Sequence, residues 1–196
     1  MSDERDACAL VAVARKDGRP TRAVLDDVLH GMAALAHRSG LVDGEGDGAG
    51  VLTDIPRALW ADILRAAGQD AALVRSGRFA VAHLFVPPSD GDADQAAVRR
   101  SLARHGIEIL VERVGTTDRS VLGPRGLTEE PRFWQLALLA PSSNGPGSRA
   151  LYEAGVEIER LTAATVVSLS RHTAVYKLRG AGHQLPGYFA DLGDVR

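Results

Sequence analysis

The chain has 196 residues, of which 45% are hydrophobic and 24% charged, a balance that excludes a disordered or collagen-like polypeptide and allows a sizeable core. Its formal net charge is -2, with 23 basic against 25 acidic residues, so it lacks the basic excess that would draw it to nucleic acid or to a membrane surface. A single cysteine excludes an internal disulfide and any multi-cysteine metal centre.

No apolar run approaches the ~20 residues that a spanning helix needs. The start, MSDERDA, is acidic and polar, unlike a secretory signal, and a cytoplasmic location is expected. Residues 8–14, CALVAVA, form an apolar run of strand length closed by the turn signal Lys16-Asp17-Gly18-Arg19-Pro20, and read as a buried strand. Thr21 is placed to cap a helix over residues 22–37, where Val24, Leu25, Val28, Leu29, Met32 and Leu35 recur at three- and four-residue spacing. The glycine-rich stretch 39–50 offers few side chains to bury and reads as a shaped loop.

Residues 51–53 then predict a short strand and 56–67 a helix, with Pro56 in its first turn and Gly68 just past its end. Residues 79–86, FAVAHLFV, predict a strand stopped by Pro87-Pro88. Asp92 is placed to cap a helix that runs to His105, carries Arg99, Arg100 and Arg104 on a solvated face, and stops at Gly106 before a strand over 107–113. Residues 114–132 read as irregular, 134–139 as a strand, 141–148 as the most linker-like segment and 149–160 as mixed. Two strands, 165–169 and 173–178, precede a short helix near 185–189. Strands and helices mix without strict alternation, which predicts an α+β or layered αββα fold over a doubly wound parallel sheet.

The glycine-rich block admits three chemical readings. Gly44-Glu45-Gly46-Asp47-Gly48-Ala49 satisfies a dinucleotide fingerprint, but that motif needs a strand before the loop and a helix after it, and here the order is reversed. Asp43, Glu45, Asp47, Gly48 and Asp54 match the positions of a calcium loop, although the twelfth residue is not Glu and the exit is strand-like. The third reading is a tight loop with solvated acids. Asn144-Gly145 reads as a turn. Cys8, taken alone, is more often a small buried apolar residue at a strand start than a nucleophile.

Read together, the motifs point further. Ala7-Cys8, Leu35-Ala36-His37-Arg38-Ser39-Gly40, the run from Gly46 to Pro56, and Ser168-Leu169-Ser170 followed by Val175-Tyr176-Lys177 resemble, in order, the amidotransferase domain of glutamate synthase. Phe79-Ala80-Val81, Val121-Leu122-Gly123 and Tyr188-Phe189-Ala190-Asp191-Leu192 extend the resemblance over nearly the whole chain. It implies a class II glutamine amidotransferase of the N-terminal-nucleophile (Ntn) hydrolase type, an αββα sandwich in which residues 1–7 are a leader, removed so that Cys8 becomes the first residue of a domain spanning 8–196. Cys8 would be the catalytic nucleophile and Arg38 an active-site support that helps hold the amino-terminal residue. Glutamine would be the substrate, with no metal and no cofactor in this chain; flavin (FMN) and iron-sulfur centres are expected only in a partner glutamate-synthase subunit that takes the ammonia.

The sequence departs from the family at Ala9 and Ser39, where glycine is usual, and at His172, where arginine is. The family's later Arg-Phe-Ser-Thr and Asn-Gly-Glu motifs, which supply glutamine binding and the oxyanion hole, are not in the sequence. The resemblance is therefore to the first half of the domain, with a fold expected to be incomplete at its C-terminus. Two functions follow from it: a glutaminase component completed by another chain, or a noncatalytic amidotransferase-like subunit or relic.

Overall fold

The computed structural model describes residues 8–42, 44–88, 91–142 and 145–194. In chain order the elements are α1 (Arg22–Ala34), β1 (Leu41–Val42), β2 (Glu45–Gly46), β3 (Ala49–Asp54), α2 (Arg57–Ala66), β4 (Phe79–Val86), α3 (Gly91–Arg104), β5 (Glu108–Val114), α4 (Pro124–Thr128), β6 (Arg132–Leu139), α5 (Gly145–Leu161), β7 (Thr165–Ser170), β8 (Thr173–Leu178), α6 (Leu185–Tyr188) and α7 (Ala190–Asp194). Short 3-10 helices cover Ala36–Arg38, Ala71–Arg75, Arg119–Val121 and Gly182–Gln184. From β3 to β7 strands and helices alternate in chain order, against the expectation from the sequence, but the strands of the main sheet pair antiparallel instead of forming parallel βαβ units, and the fold is α+β as expected.

The chain forms two compact units, one of residues 1–51, 117–130 and 176–196, the other of residues 52–116 and 131–175. The second is built on a four-stranded antiparallel sheet in the order β5-β6-β4-β7. Side chains alternate across it. Ala80, Ala82, Leu84 and Val86 of β4 join Trp134, Leu136 and Leu138 of β6 under Val98 and Leu102 of α3 and Leu151, Ala154 and Ile158 of α5. On the opposite face Phe79, Val81 and Ala137 pack with Trp60 and Leu64 of α2 and with Val74. Both faces are covered, which is why β4 and β6 are continuous apolar runs instead of the alternating pattern of a half-exposed antiparallel strand.

Helices α2 and α3 end as the glycine signals predict. Gly68 and Gly106 adopt φ of +73° and +66°, and the residues after them, Gln69 and Ile107, donate to the carbonyls of Leu64 and Leu102 at 2.9 Å. Each is a Schellman cap, which satisfies carbonyls the helix leaves open. Asp92 lies inside the first turn of α3, where a carboxylate still favours the helix dipole, instead of ahead of it. The segment read as mixed is helical: Leu151, Ala154 and Ile158 of α5 return to one face at helical spacing and are buried there. Asn144, read as a turn, lies outside the described residues, and Gly145 opens the helix.

The first unit has shorter elements. Tyr176, Phe189 and Tyr188 stack edge to face, with ring centroids 5.3 Å and 4.6 Å apart for the two pairs that share Phe189, and Leu25, Leu185 and Leu192 are buried with them. Thr21 occupies the N-cap position of α1, but its side chain makes no capping bond. Residues 114–132, read as irregular, hold the 3-10 turn Arg119–Val121 and α4, which Pro124 opens at its first position.

Residues 8–14 correct the strand expectation. They adopt no regular structure, Leu10 is 87% exposed, and only Val11 is half-buried. An apolar run of this length becomes a strand only where a neighbouring strand offers its hydrogen-bonding edge, and among the described residues no ladder includes it. Residues 39–50 correct the loop expectation in the other direction. They fold as the hairpin β1–β2, Leu41 opposite Gly46 and Val42 opposite Glu45, and lead into β3, with Gly44 at φ +82° in the turn.

Candidate functional site

The first unit holds Cys8, Arg38 and the glycine-rich block up to Gly50, and Asp54, the last position of the calcium reading, belongs to the second. Cys8 is a free, exposed thiol at the start of the irregular segment. Arg38 is exposed at the end of the 3-10 turn Ala36–Arg38, held through its own N–H, which donates to Leu35 O at 2.9 Å. Among the described residues no hydrogen bond or ion pair joins the two, so Arg38 is not drawn to Cys8 in this structure.

The glycine-rich block is occupied by the protein itself. The Glu45 carboxylate accepts from the backbone N–H of Arg125 at 3.2 Å, and Asp47 donates its N–H to Gly40 O at 3.1 Å. At Gly46 the hairpin meets backbone: a Cβ there would lie 2.6 Å from the carbonyl carbon of Gly180. These are the contacts of a packed junction, not of an open ligand cradle. The dinucleotide reading fails on order, since α1 precedes the block and β3 follows it. For the calcium reading, Asp43 lies outside the described residues, and among the described ones no cluster of three or more His, Cys, Asp or Glu could hold a metal ion.

A polar cluster of the same unit escaped the sequence. The Tyr188 hydroxyl donates to Glu130 Oε1 at 3.0 Å, and Arg119 Nε lies 3.0 Å from Glu130 Oε2. Burial, and then the bond to Glu130, push the Tyr188 hydroxyl well above the ordinary tyrosine range.

The second unit carries a polar row, buried at His83 and Gln135 and half-buried at Arg113 and Ser168. Arg113, Gln135, His83 and Ser168 stand directly opposite one another on β5, β6, β4 and β7. Arg113 Nε donates to Gln135 Oε1 at 2.7 Å, Gln135 Nε2 lies 3.1 Å from His83 Nε2, and His83 Nδ1 is 2.9 Å from Val175 O. Because the Gln135 oxygen faces the guanidinium, its NH2 donates to His83 Nε2, which leaves the ring proton on Nδ1 to donate to Val175 O. Ser168 Oγ accepts from Val175 N–H at 3.2 Å. Two side chains thus hold both polar groups of one β8 residue. The row was visible as lone polar residues inside apolar runs, but register alone brings them together.

The fold is mixed α+β, and comparison with known families gives its class. The chain belongs to the class-II glutamine amidotransferases, which it matches over residues 8–196. That family has the Ntn-hydrolase fold. Among curated proteins, the chain is 27% identical over 210 residues to the large chain of the NADPH glutamate synthase of Azospirillum brasilense, covering 99% of this chain and 14% of that protein. It is 29% identical over 200 residues to ferredoxin-dependent glutamate synthase 2 of Synechocystis, covering 98% and 13%, and 28% identical over 211 residues to the chloroplast ferredoxin-dependent glutamate synthase of spinach, covering 98% and 13%. The chain therefore spans about a seventh of the length of these relatives. No helix among the described residues is long and apolar enough to cross a membrane.

Proposed function

We propose that the chain is a glutaminase component of the glutamate-synthase type with Cys8 as its nucleophile. One observation carries this: the family match begins at Cys8, the only cysteine of the chain. Removal of residues 1–7 would give Cys8 a free α-amine, whose ordinary pKa of about 7.7 to 8.0 lies close to the thiol's of about 8.5, so the amine can take the thiol proton at little cost near neutrality. The thiolate then attacks the side-chain carbonyl carbon of glutamine. The tetrahedral oxyanion collapses, the C–N bond breaks, and protonated nitrogen leaves as ammonia. Water cleaves the γ-glutamyl thioester and returns glutamate and the thiol. Arg38, matching the family's His-Arg stretch, would hold the amino-terminal residue, and the ammonia would pass to a synthase partner.

One observation favours the second reading, a noncatalytic amidotransferase-like domain: Cys8 and the segment behind it are exposed, with no hydrogen-bond partner for the thiol among the described residues. Intact mass and ammonia release from glutamine separate the two. On the first reading the mature chain starts at Cys8, and Cys8→Ala loses ammonia release by on the order of 10³-fold or more. A retained leader, or equal ammonia release by wild type and Cys8→Ala, overturns it.

A further inference from the structure

Helix α5 gives one face to the core, through Leu151, Ala154 and Ile158, and turns the opposite face to solvent. A helix face in water is ordinarily polar, and on α3, which packs beside α5, the exposed Arg99, Arg100 and Arg104 follow that rule. On α5 the rule fails. Tyr152 is 72% and Val156 50% exposed, four positions apart on the outer face, where they form an apolar step. Arg149 and Glu159, both exposed, extend the stripe at its two ends, three positions before Tyr152 and three after Val156.

The chemistry of this stripe is self-complementary. Tyr152 and Val156 lie equally far from Ala154 on its two sides, and so do Arg149 and Glu159. A two-fold axis at the level of Ala154 therefore sets two α5 helices antiparallel with Tyr152 against Val156 of the second copy and Arg149 against its Glu159, each contact made twice, as an isologous interface requires. The spacing of three, four and three is that of a helix–helix seam. The charged ends are available to it. Arg149 commits Nε to Glu153 Oε1 at 2.7 Å, and its Nη nitrogens make no bond among the described residues. Glu159 accepts the Val166 N–H on Oε1 at 3.1 Å, and no ion pair among the described residues includes it. Glu153 and Arg160, which flank the stripe on one side, carry opposite signs, so that edge adds no net charge.

We propose that the outer face of α5 is a homodimer surface, on which a second copy of this chain packs its own α5 antiparallel. An unrelated helix that covered the apolar step would not require a cation and an anion at matching distances from one point between them, whereas a second copy does. The inference does not rest on Cys8 chemistry and stands or falls separately from it.

The test is analytical sedimentation of the full chain. A single helix pair is smaller than the standard interface of about 1,600 Å², so the dimer forms reversibly and is sought over about 5–500 μM. Wild type is expected to pass from monomer to dimer across that range. Arg149→Glu and Glu159→Arg each place like charges in both end contacts and weaken self-association about tenfold or more, with an unchanged far-UV circular dichroism spectrum. Mixed in equal amounts, the two variants form a dimer with each other at about the wild-type strength, because every end contact again joins opposite charges, and the Arg149→Glu/Glu159→Arg chain self-associates likewise. Arg100→Glu, on the exposed face of α3, leaves dimerisation within about twofold, because the field of a distant charge is screened. A wild type still monomeric at about 500 μM, single variants that dimerise as wild type does, or a mixture that stays monomeric overturns the proposal.

Discussion

The second unit keeps Trp134, Leu136, Leu138 and Ala140 at 2% exposure or less around its central strands, while the first leaves Leu10 87% exposed and relies on backbone packed against backbone at Gly46. One region is held by apolar volume enclosed on both faces of a sheet, the other by an aromatic cluster and close main-chain approach. The residues proposed for chemistry, Cys8 and Arg38, both belong to the less enclosed region. Low local stability is the usual condition of segments that rearrange around a ligand, and here it coincides with the proposed nucleophile.

The comparison can be broken at its strong end first. Leu138→Ala removes a fully buried side chain from β6 and is expected to cost about 2–5 kcal/mol. Hydrogen exchange should report lost protection in the four strands of the second unit; full protection there would deny that the sheet is one cooperative core. Gly46→Val tests the first unit. A side chain there meets the Gly180 backbone, so a loss of about 1–3 kcal/mol is expected, with exchange rising in the hairpin and near Gly180 while the β4–β6 amides stay protected.

A smaller effect concerns pH. The bond from His105, and then the Arg104 charge, hold the Glu157 carboxyl below the usual glutamate range. A depressed carboxyl stabilises the fold above its unfolded pKa, and that contribution is lost as pH falls from the ordinary glutamate range through the folded value. Glu157→Gln should therefore melt lower than wild type at neutral pH and converge with it in acid; a constant difference across that window refutes the pairing. The least effect is expected from Leu10→Gln, within about 0.5 kcal/mol, because the side chain has little burial to lose. A large loss would mean that residues 8–14 pack in solution.

Much of the second unit was legible. The span 79–86 is β4 to the residue, and Gly68 and Gly106 mark two helix ends because a left-handed position after a helix favours glycine. The first unit was harder to read. CALVAVA has the composition of a buried strand, but composition cannot supply the partner edge that makes a strand. The stretch 39–50 has the composition of a loop, but a hairpin needs so few residues that two flanking pairs suffice. The family was legible from local motifs, whereas the Tyr188–Glu130–Arg119 cluster, in which Tyr188 and Glu130 lie 58 positions apart, is set by tertiary placement alone.

The row from Arg113 to Val175 has a sense as well as a position. Each dipole in it points the same way, and the sense is set at one end, by a cation that only an amide oxygen can face. Reversing the charge at Arg113 would ask Gln135 to turn over, His83 to move its proton to the other nitrogen, and the Val175 carbonyl to face a lone pair. A single edge residue thereby decides the hydrogen placement of three strands and the docking of a fourth, and the interior of this sheet is a vector with a fixed head and tail.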